Sequence, residues 1–220
     1  MIFCLIVSLI IAEKMSRGKF IVIEGADKVG KTTSALQLVS KLREEGLPAV
    51  YISFPKRQTK IGQLINLYLQ NKLRLDDHCI HLLFAANRWE HSCKIQLLLK
   101  SSINVIADRY SFSGIAYSLA KQKNNLNEEF CKMTERGLPK PDLVCCLVNS
   151  SQTSIEFHNN EKYEKKDIQE RVSENFKKLQ DENWMFFDAL KNNTFINLLE
   201  TVRAKIEEPN TSEIKFLWQE

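Results

Sequence analysis

The stretch Phe20-Ile-Val-Ile-Glu-Gly-Ala-Asp-Lys-Val-Gly-Lys-Thr-Thr33 constrains this chain more than any other. Phe20 to Ile23 are apolar and read as a short buried strand. Gly25-x-x-x-x-Gly30-Lys31-Thr32 follows at once, which is the phosphate-binding loop pattern. Each part has a physical task. Gly25 and Gly30 let the backbone curl until its N–H groups converge on phosphate oxygens. A helix starting near Lys31 adds its positive end to the same point. Lys31 can reach the β- and γ-phosphates, and the Thr32 hydroxyl can sit on Mg²⁺. A ligand-free strand–helix turn is the bland alternative for such a segment.

Downstream, Ala35, Leu38, Val39 and Leu42 recur at helical spacing, and Gly46 and Pro48 close that helix. Val50 to Phe54 reads as a second strand. Strand, loop, helix and strand in this order make a βαβ unit, so the sheet is parallel and covered by helices. In such sheets ligands bind beyond the carboxyl ends of the strands, which makes Arg57, just after the second strand, a phosphate-clamp candidate. Ile61 to Gln70 and His78 to Leu99 read as helices. Phe84 and Arg88 lie four apart on the second of these and share a face, a ring beside a guanidinium. Ile103 to Asp108 is the third strand and ends in Asp108-Arg109-Tyr110. Asp108 is placed to order Mg²⁺ or its waters, and Arg109 stands where two anionic groups would meet. Ser111 opens a helix in which Gly114 permits a close approach and Tyr117 offers a ring with a polar tip. Leu143 to Val148, Asp167 to Gln180, Trp184 to Asp188 and Asn197 to Ile206 complete a strand–helix–strand–helix series. The expected fold class is α/β, a three-layer α/β/α sandwich on five parallel strands.

A chain of 220 residues can bury a full core in one domain. Its net charge of +4 is too mild to indicate a nucleic-acid protein and suits a small anionic substrate. None of the six cysteines stands in a C-x-x-C pair, so neither a zinc site nor a disulfide framework is expected. Cys145 and Cys146, adjacent in a strand, should point to opposite faces. Met1 to Ala12 is nearly all apolar. It is too short to span a bilayer and lacks a basic lead, so it makes a poor signal peptide. Three readings of residues 1–14 stand side by side: an extension upstream of initiation at Met15, a weak signal or anchor, and an added packing segment. A nucleotide-using enzyme needs ATP at hand, so the domain over 15–220 is expected in the cytoplasm, with the nucleus as a second compartment.

Taken in order, the phosphate loop, Phe54-Pro-x-Arg57, Phe84-x-Ala-Asn-Arg-Trp-Glu90, Asp108-Arg-Tyr-x-Phe-Ser-Gly-x-Ala-Tyr117 and Gly137-Leu-Pro-Lys-Pro-Asp142 resemble thymidylate kinase of the eukaryotic and poxviral type. The match runs from about Ser16 to Trp218 and includes Glu161-Lys-Tyr-Glu164 and Ile168-Gln-Glu-Arg171. The resemblance implies transfer of the γ-phosphoryl group of ATP to dTMP, with Mg²⁺, in dTTP synthesis. It places Gly25, Ala26, Asp27, Lys28, Val29, Gly30, Lys31, Thr32 and Thr33 on ATP, and Thr32 and Asp108 on the metal. It places Asp27, Phe54, Arg57, Phe84, Arg88, Arg109, Gly114, Tyr117 and Tyr163 on dTMP. In it Asp27 accepts from the 3′-hydroxyl, Arg57 and Arg109 hold the acceptor phosphate, Phe84 stacks on thymine and Arg88 donates to O4. Lys28, Lys31, Asp27 and Arg109 carry the chemistry. The resemblance also implies a homodimer, with neither nucleic acid nor membrane as partner.

Two departures matter. Lys28 stands where the eukaryotic family usually has arginine, so a point charge replaces a bidentate fork. The lid, about residues 150–166, contains no arginine, and Lys162 stands where the family often has one. Lys28, Lys31 and Lys162 are therefore expected to share the transition-state charge. The alternative functions are a nucleoside monophosphate kinase of broader or different acceptor (dUMP, dGMP) and a nucleotide-binding protein without catalysis. A switch GTPase would need Asn-Lys-x-Asp, which is absent.

Overall fold

The structure is a computed structural model that describes residues 17–121, 126–149, 162–163, 165–209 and 213–219. The readings placed on residues 1–14 and on most of the lid fall outside them. The described elements are β1 (Phe20–Gly25), α1 (Lys31–Glu44), β2 (Ala49–Ser53), α2 (Lys60–Leu69), α3 (Asp77–Lys100), β3 (Asn104–Asp108), α4 (Ser111–Ala120), α5 (Glu128–Glu135), β4 (Leu143–Val148), α6 (Lys166–Leu179), β5 (Trp184–Asp188) and α7 (Thr194–Glu207).

The five strands form one parallel sheet in the order β2-β3-β1-β4-β5. Every residue of β1 is buried, whereas the edge strands β2 and β5 are buried only in part. A central strand covered on both faces needs a continuous apolar run, which Phe20 to Ile23 supplies. Successive side chains leave a strand on opposite sides. Phe20 and Val22 thus pack with Ile95, Ile115 and Phe176 under α3, α4 and α6, while Ile21 and Ile23 pack with Leu38, Leu42 and Leu198 under α1 and α7. Cys146 joins the first cluster and Cys145 the second, as the strand reading requires. The expected three-layer α/β/α sandwich is the fold observed.

Two elements differ from expectation. The helix α5 is an addition to the sequence reading, because its eight residues are shorter than the stretch over which helical periodicity is read. The last helix begins at Thr194, three residues before the expected start at Asn197, so that Phe195 and Ile196 belong to its first turn. The register brings three strand ends together. Ile23 pairs with Asp108, and Asp108 pairs with Ser53. Beyond them, the Arg109 N–H donates to the Ile23 carbonyl and the Phe54 N–H to the Asp108 carbonyl, each at 3.0 Å. The phosphate loop, Asp108-Arg109 and Phe54-Pro55 therefore emerge side by side. β1 is also where successive strands change sides of the sheet, the point at which such sheets bind ligands.

Candidate active site

The phosphate loop is held in a shape only some residues adopt readily. Gly25, Lys28 and Gly30 all have positive φ, at 140°, 65° and 84°. Gly25 is required twice over, because a Cβ there would lie 2.4 Å from the Leu147 carbonyl oxygen. Gly30 caps α1, and no acidic residue occupies that helix's first turn, so the helix itself sets no carboxylate against its positive end. Lys31 is buried and its Nζ donates to the Ala26 carbonyl inside the loop. Burial, then the neighbouring Arg109 charge, pulls its pKa down to about 7 against the carboxylates of Asp27, Asp108 and Glu24. Lys28 is exposed.

Arg109 lies in the left-handed region at φ 66°, just past β3. Its guanidinium donates to Asp27, to the Gly25 carbonyl at 3.1 Å and to Ser113 Oγ at 3.2 Å, and it lies 5.2 Å from the Tyr117 ring centre. Burial works against the Asp27 charge, but Arg109 and Lys31 outweigh it and hold the carboxyl below its ordinary pKa. Thr32 Oγ1 donates to Asp108 Oδ2 at 2.5 Å, and the Tyr51 hydroxyl donates to the same oxygen at 3.2 Å.

Arg88 is almost fully buried, and Glu135 is wholly so. Arg88 Nε donates to Glu135 Oε2 at 2.8 Å and its Nη2 to Oε1, a side-on fork between two planar groups. Gly114 explains itself here, since a Cβ at that position would lie 2.4 Å from Arg88 Nη2. The close approach anticipated at Gly114 is that of Arg88 itself. Arg57 is exposed and donates to Asn66 Oδ1 at 2.8 Å. Buried Asn87 sets the loop that carries it, accepting from the Lys56 N–H at 2.6 Å and donating to the Lys56 carbonyl and Thr59. Tyr163 is buried and packs edge-on against Tyr117, with ring centres 5.4 Å apart. Lys162 Nζ lies 3.7 Å above the Tyr68 ring, where it stabilises that ring by cation–π attraction.

One cavity of about 410 Å³ joins these groups. Asp27, Thr32, Asp108 and Arg109 line one part. Phe54, Arg57, Phe84, Arg88, Gly114, Tyr117 and Tyr163 line the rest. Every residue that the sequence assigned to the acceptor is therefore on its wall. Four other contributors were missed. Gln169 spans the site: its Nε2 donates to Asp27 Oδ2 at 2.7 Å and to the Tyr163 carbonyl at 2.9 Å, and its Oε1 accepts from the Asp27 N–H at 2.8 Å. Glu24 is wholly buried and accepts from the Tyr110 and Ser113 N–H groups at 3.0 Å, capping α4. Burial raises its pKa despite those bonds. Glu135 and Tyr51 are the other two. A carboxylate at the end of a buried strand was a usable signal for Glu24. Gln169 stood in the matched Ile168-Gln-Glu-Arg171 stretch without an assigned role, and nothing local marked Glu135; packing of distant helices brings each in.

The geometry can hold a phosphate chain at the α1 terminus, an anionic acceptor group at Arg109 and a flat apolar ring beside Phe84. The family model for thymidylate kinase matches residues 23–197. The thymidylate kinase of Danio rerio is 42% identical over 180 residues, covering 80% of this chain and 84% of that protein. A putative thymidylate kinase of Invertebrate iridescent virus 6 is 41% identical, covering 74% and 76%. The solved structure of thymidylate kinase from Candida albicans superposes with a TM-score of 0.76 at 36% identity, covering 91% of this chain and 98% of that one. A match over most of the chain in sequence, motif order and fold has one reading: the chain belongs to the thymidylate kinase family.

Proposed function

We propose that this chain moves the γ-phosphoryl group of ATP onto the phosphate of dTMP in the cavity between the phosphate loop and α4, and that it does so by positioning and charge cancellation. The observation that carries the reading is the shared wall: Asp27, Thr32, Phe84 and Arg88 line one cavity. Two polyanions must approach each other there, which is uphill unless fixed cations meet them. Arg109, half-buried and pinned by Asp27, supplies a charge that needs little reorganisation. Lys31 and Lys28 flank the phosphate loop, and Arg57 closes the acceptor side. Asp27 accepts from the sugar hydroxyl, Tyr117 and Tyr163 border the sugar, Phe84 stacks on thymine and Arg88 donates to its O4.

Thr32 and Asp108 suit Mg²⁺, which takes few protein ligands and keeps its waters and phosphate oxygens. Their 2.5 Å contact is a hydroxyl and a carboxylate already converged on one point. A bound Mg²⁺ would neutralise charge on the β- and γ-phosphates. Lys162 stands on Tyr68, so its share of the transition-state charge rests on the sequence argument alone.

The enzyme works in this reading as a cytoplasmic or nuclear homodimer. Leu82, Trp89 and Leu97 are exposed large apolar residues along one stripe of α3, which a second copy would cover. No helix among the described residues is long and apolar enough to cross a membrane. Light scattering should return twice the 25.5 kDa chain mass.

A coupled ADP-release assay with MgATP, offering dTMP, dUMP, dCMP, dGMP and AMP in turn, tests the whole. Turnover with dTMP well above the rest is expected. Comparable turnover with dGMP would mean that the pocket does not read the base, and no turnover with intact ATP binding would leave a binding protein.

A further inference from the structure

His81 is wholly buried one turn before Phe84 on α3, and no step above uses it. Its ring packs 5.9 Å from the Phe130 ring, with the Gly114 backbone also in hydrogen-bonding reach, and its nitrogens make three close contacts. Nδ1 is 2.8 Å from Ser118 Oγ, and Nε2 is 3.0 Å from Thr134 Oγ1 and 3.3 Å from the Cys131 carbonyl. The hydrogens on these contacts can be assigned by elimination. The Cys131 carbonyl only accepts. Thr134 Oγ1 donates to that same carbonyl at 2.9 Å, so its proton is committed and its oxygen faces the ring as an acceptor. Nε2 therefore meets two acceptors and must carry the ring proton. The ring is neutral: burial, then the Arg88 charge, lowers its pKa to about 4. A neutral imidazole protonated at Nε2 has a bare lone pair at Nδ1. Ser118 Oγ, 2.8 Å away, is the donor that meets it.

Ser118 lies on the cavity wall, one helical turn beyond Gly114, which packs on the Arg88 guanidinium. We infer that His81 is a positioning residue for base selection: it takes the Ser118 hydroxyl hydrogen and leaves the Ser118 oxygen as an obligate acceptor beside the obligate donor Arg88. The pair presents one donor from α3 and one acceptor from α4 on the same cavity wall. Thymine and uracil offer the complement on adjacent ring positions, an O4 acceptor and an N3–H donor. Cytosine offers the reverse, an N4 amino donor and a bare N3. It would set donor against donor at Arg88 and lone pair against lone pair at Ser118. A free serine hydroxyl could rotate to serve either base. The histidine removes that freedom.

The inference rests on the cavity being the acceptor site, and the tests separate the two. In the wild-type enzyme, long-range ¹H–¹⁵N spectra should show His81 neutral and protonated at Nε2. Protonation at Nδ1 would overturn the assignment whatever the enzyme does. In kinetics, His81→Phe frees the Ser118 hydrogen, whereas His81→Asn keeps an amide oxygen near the Nδ1 position. The dTMP-to-dCMP ratio of kcat/KM should fall about 10- to 100-fold in His81→Phe, through a higher KM for dTMP and a better dCMP reaction, and return substantially in His81→Asn. A folded His81→Phe enzyme with an unchanged ratio overturns the proposal, since a purely structural role would slow both acceptors alike. Loss of dTMP turnover in the wild type would instead count against the site itself.

Discussion

Arg88 and Glu135, 47 residues apart in sequence, form a two-pronged ion pair buried from solvent on both sides. The arginine that faces the acceptor cavity is thus held by a carboxylate on another helix. Its position is decided before any nucleotide arrives, which lowers the ordering cost of reading a base. Glu135→Ala leaves a buried guanidinium without its partner and should destabilise the fold by about 3–5 kcal/mol. Gly114→Ala presses a methyl group into the same guanidinium. It should raise KM for dTMP at least ~10-fold and leave KM for ATP nearly unchanged. Thermal melts and acceptor-varied kinetics on the two variants check both outcomes.

Asp27 is the junction of the site, touching Arg109, Gln169 and, through them, Ser113 and Tyr163. Gln169→Ala removes the link to α6 and leaves the Asp27 N–H and one carboxylate oxygen without that partner. We expect kcat/KM for dTMP to fall by about 10- to 100-fold, with a smaller change in ATP affinity. Gln169→Glu should do worse, because it puts a second carboxylate against Asp27. Equal activity in the three proteins would show that the bridge is decorative.

Lys31 titrates near pH 7 in the nucleotide-free fold, against 10.5 as its ordinary value. The fold lowers this pKa, so between these two limits the unfolded chain holds more protons than the folded one. Stability from this group therefore rises with pH across that window. A bound triphosphate reverses the balance by drawing a proton back onto the ammonium. At pH 8, binding of a non-hydrolysable ATP analogue should take up roughly one proton more in the wild type than in Lys31→Met, and at pH 6 the two should agree. Calorimetry in buffers of different ionisation enthalpy gives the number directly.

Lys28 occupies a left-handed position at the exposed rim of the phosphate loop. Lys28→Ala should lower kcat by at least ~10-fold with little effect on dTMP affinity, since its charge matters most as the γ-phosphoryl group moves. Lys28→Arg, which restores a planar fork, should equal or exceed the wild type. Single-turnover kinetics separate this from product release.

The architecture and most of the site were open to reading from sequence because they depend on local chemistry. A βαβ unit declares itself by period and punctuation, and the phosphate loop by glycines that its backbone needs. Strand ends then pointed to Asp108, Arg109 and Arg57, because parallel sheets collect their ligands there. Tertiary structure decided what those residues lean on. The spacing of Phe84 and Arg88 predicted a reader. It could not reveal that Glu135 locks Arg88, that Gly114 makes room for it, or that Gln169 ties Asp27 to Tyr163. Those partners come from helices with no fixed sequence offset, and their value arises from burial, which strengthens each charge and forbids an unpaired one. Lys31 makes the same point. The sequence placed it on phosphate, but only its packing among Arg109, Asp27 and Asp108 set how readily it holds its proton.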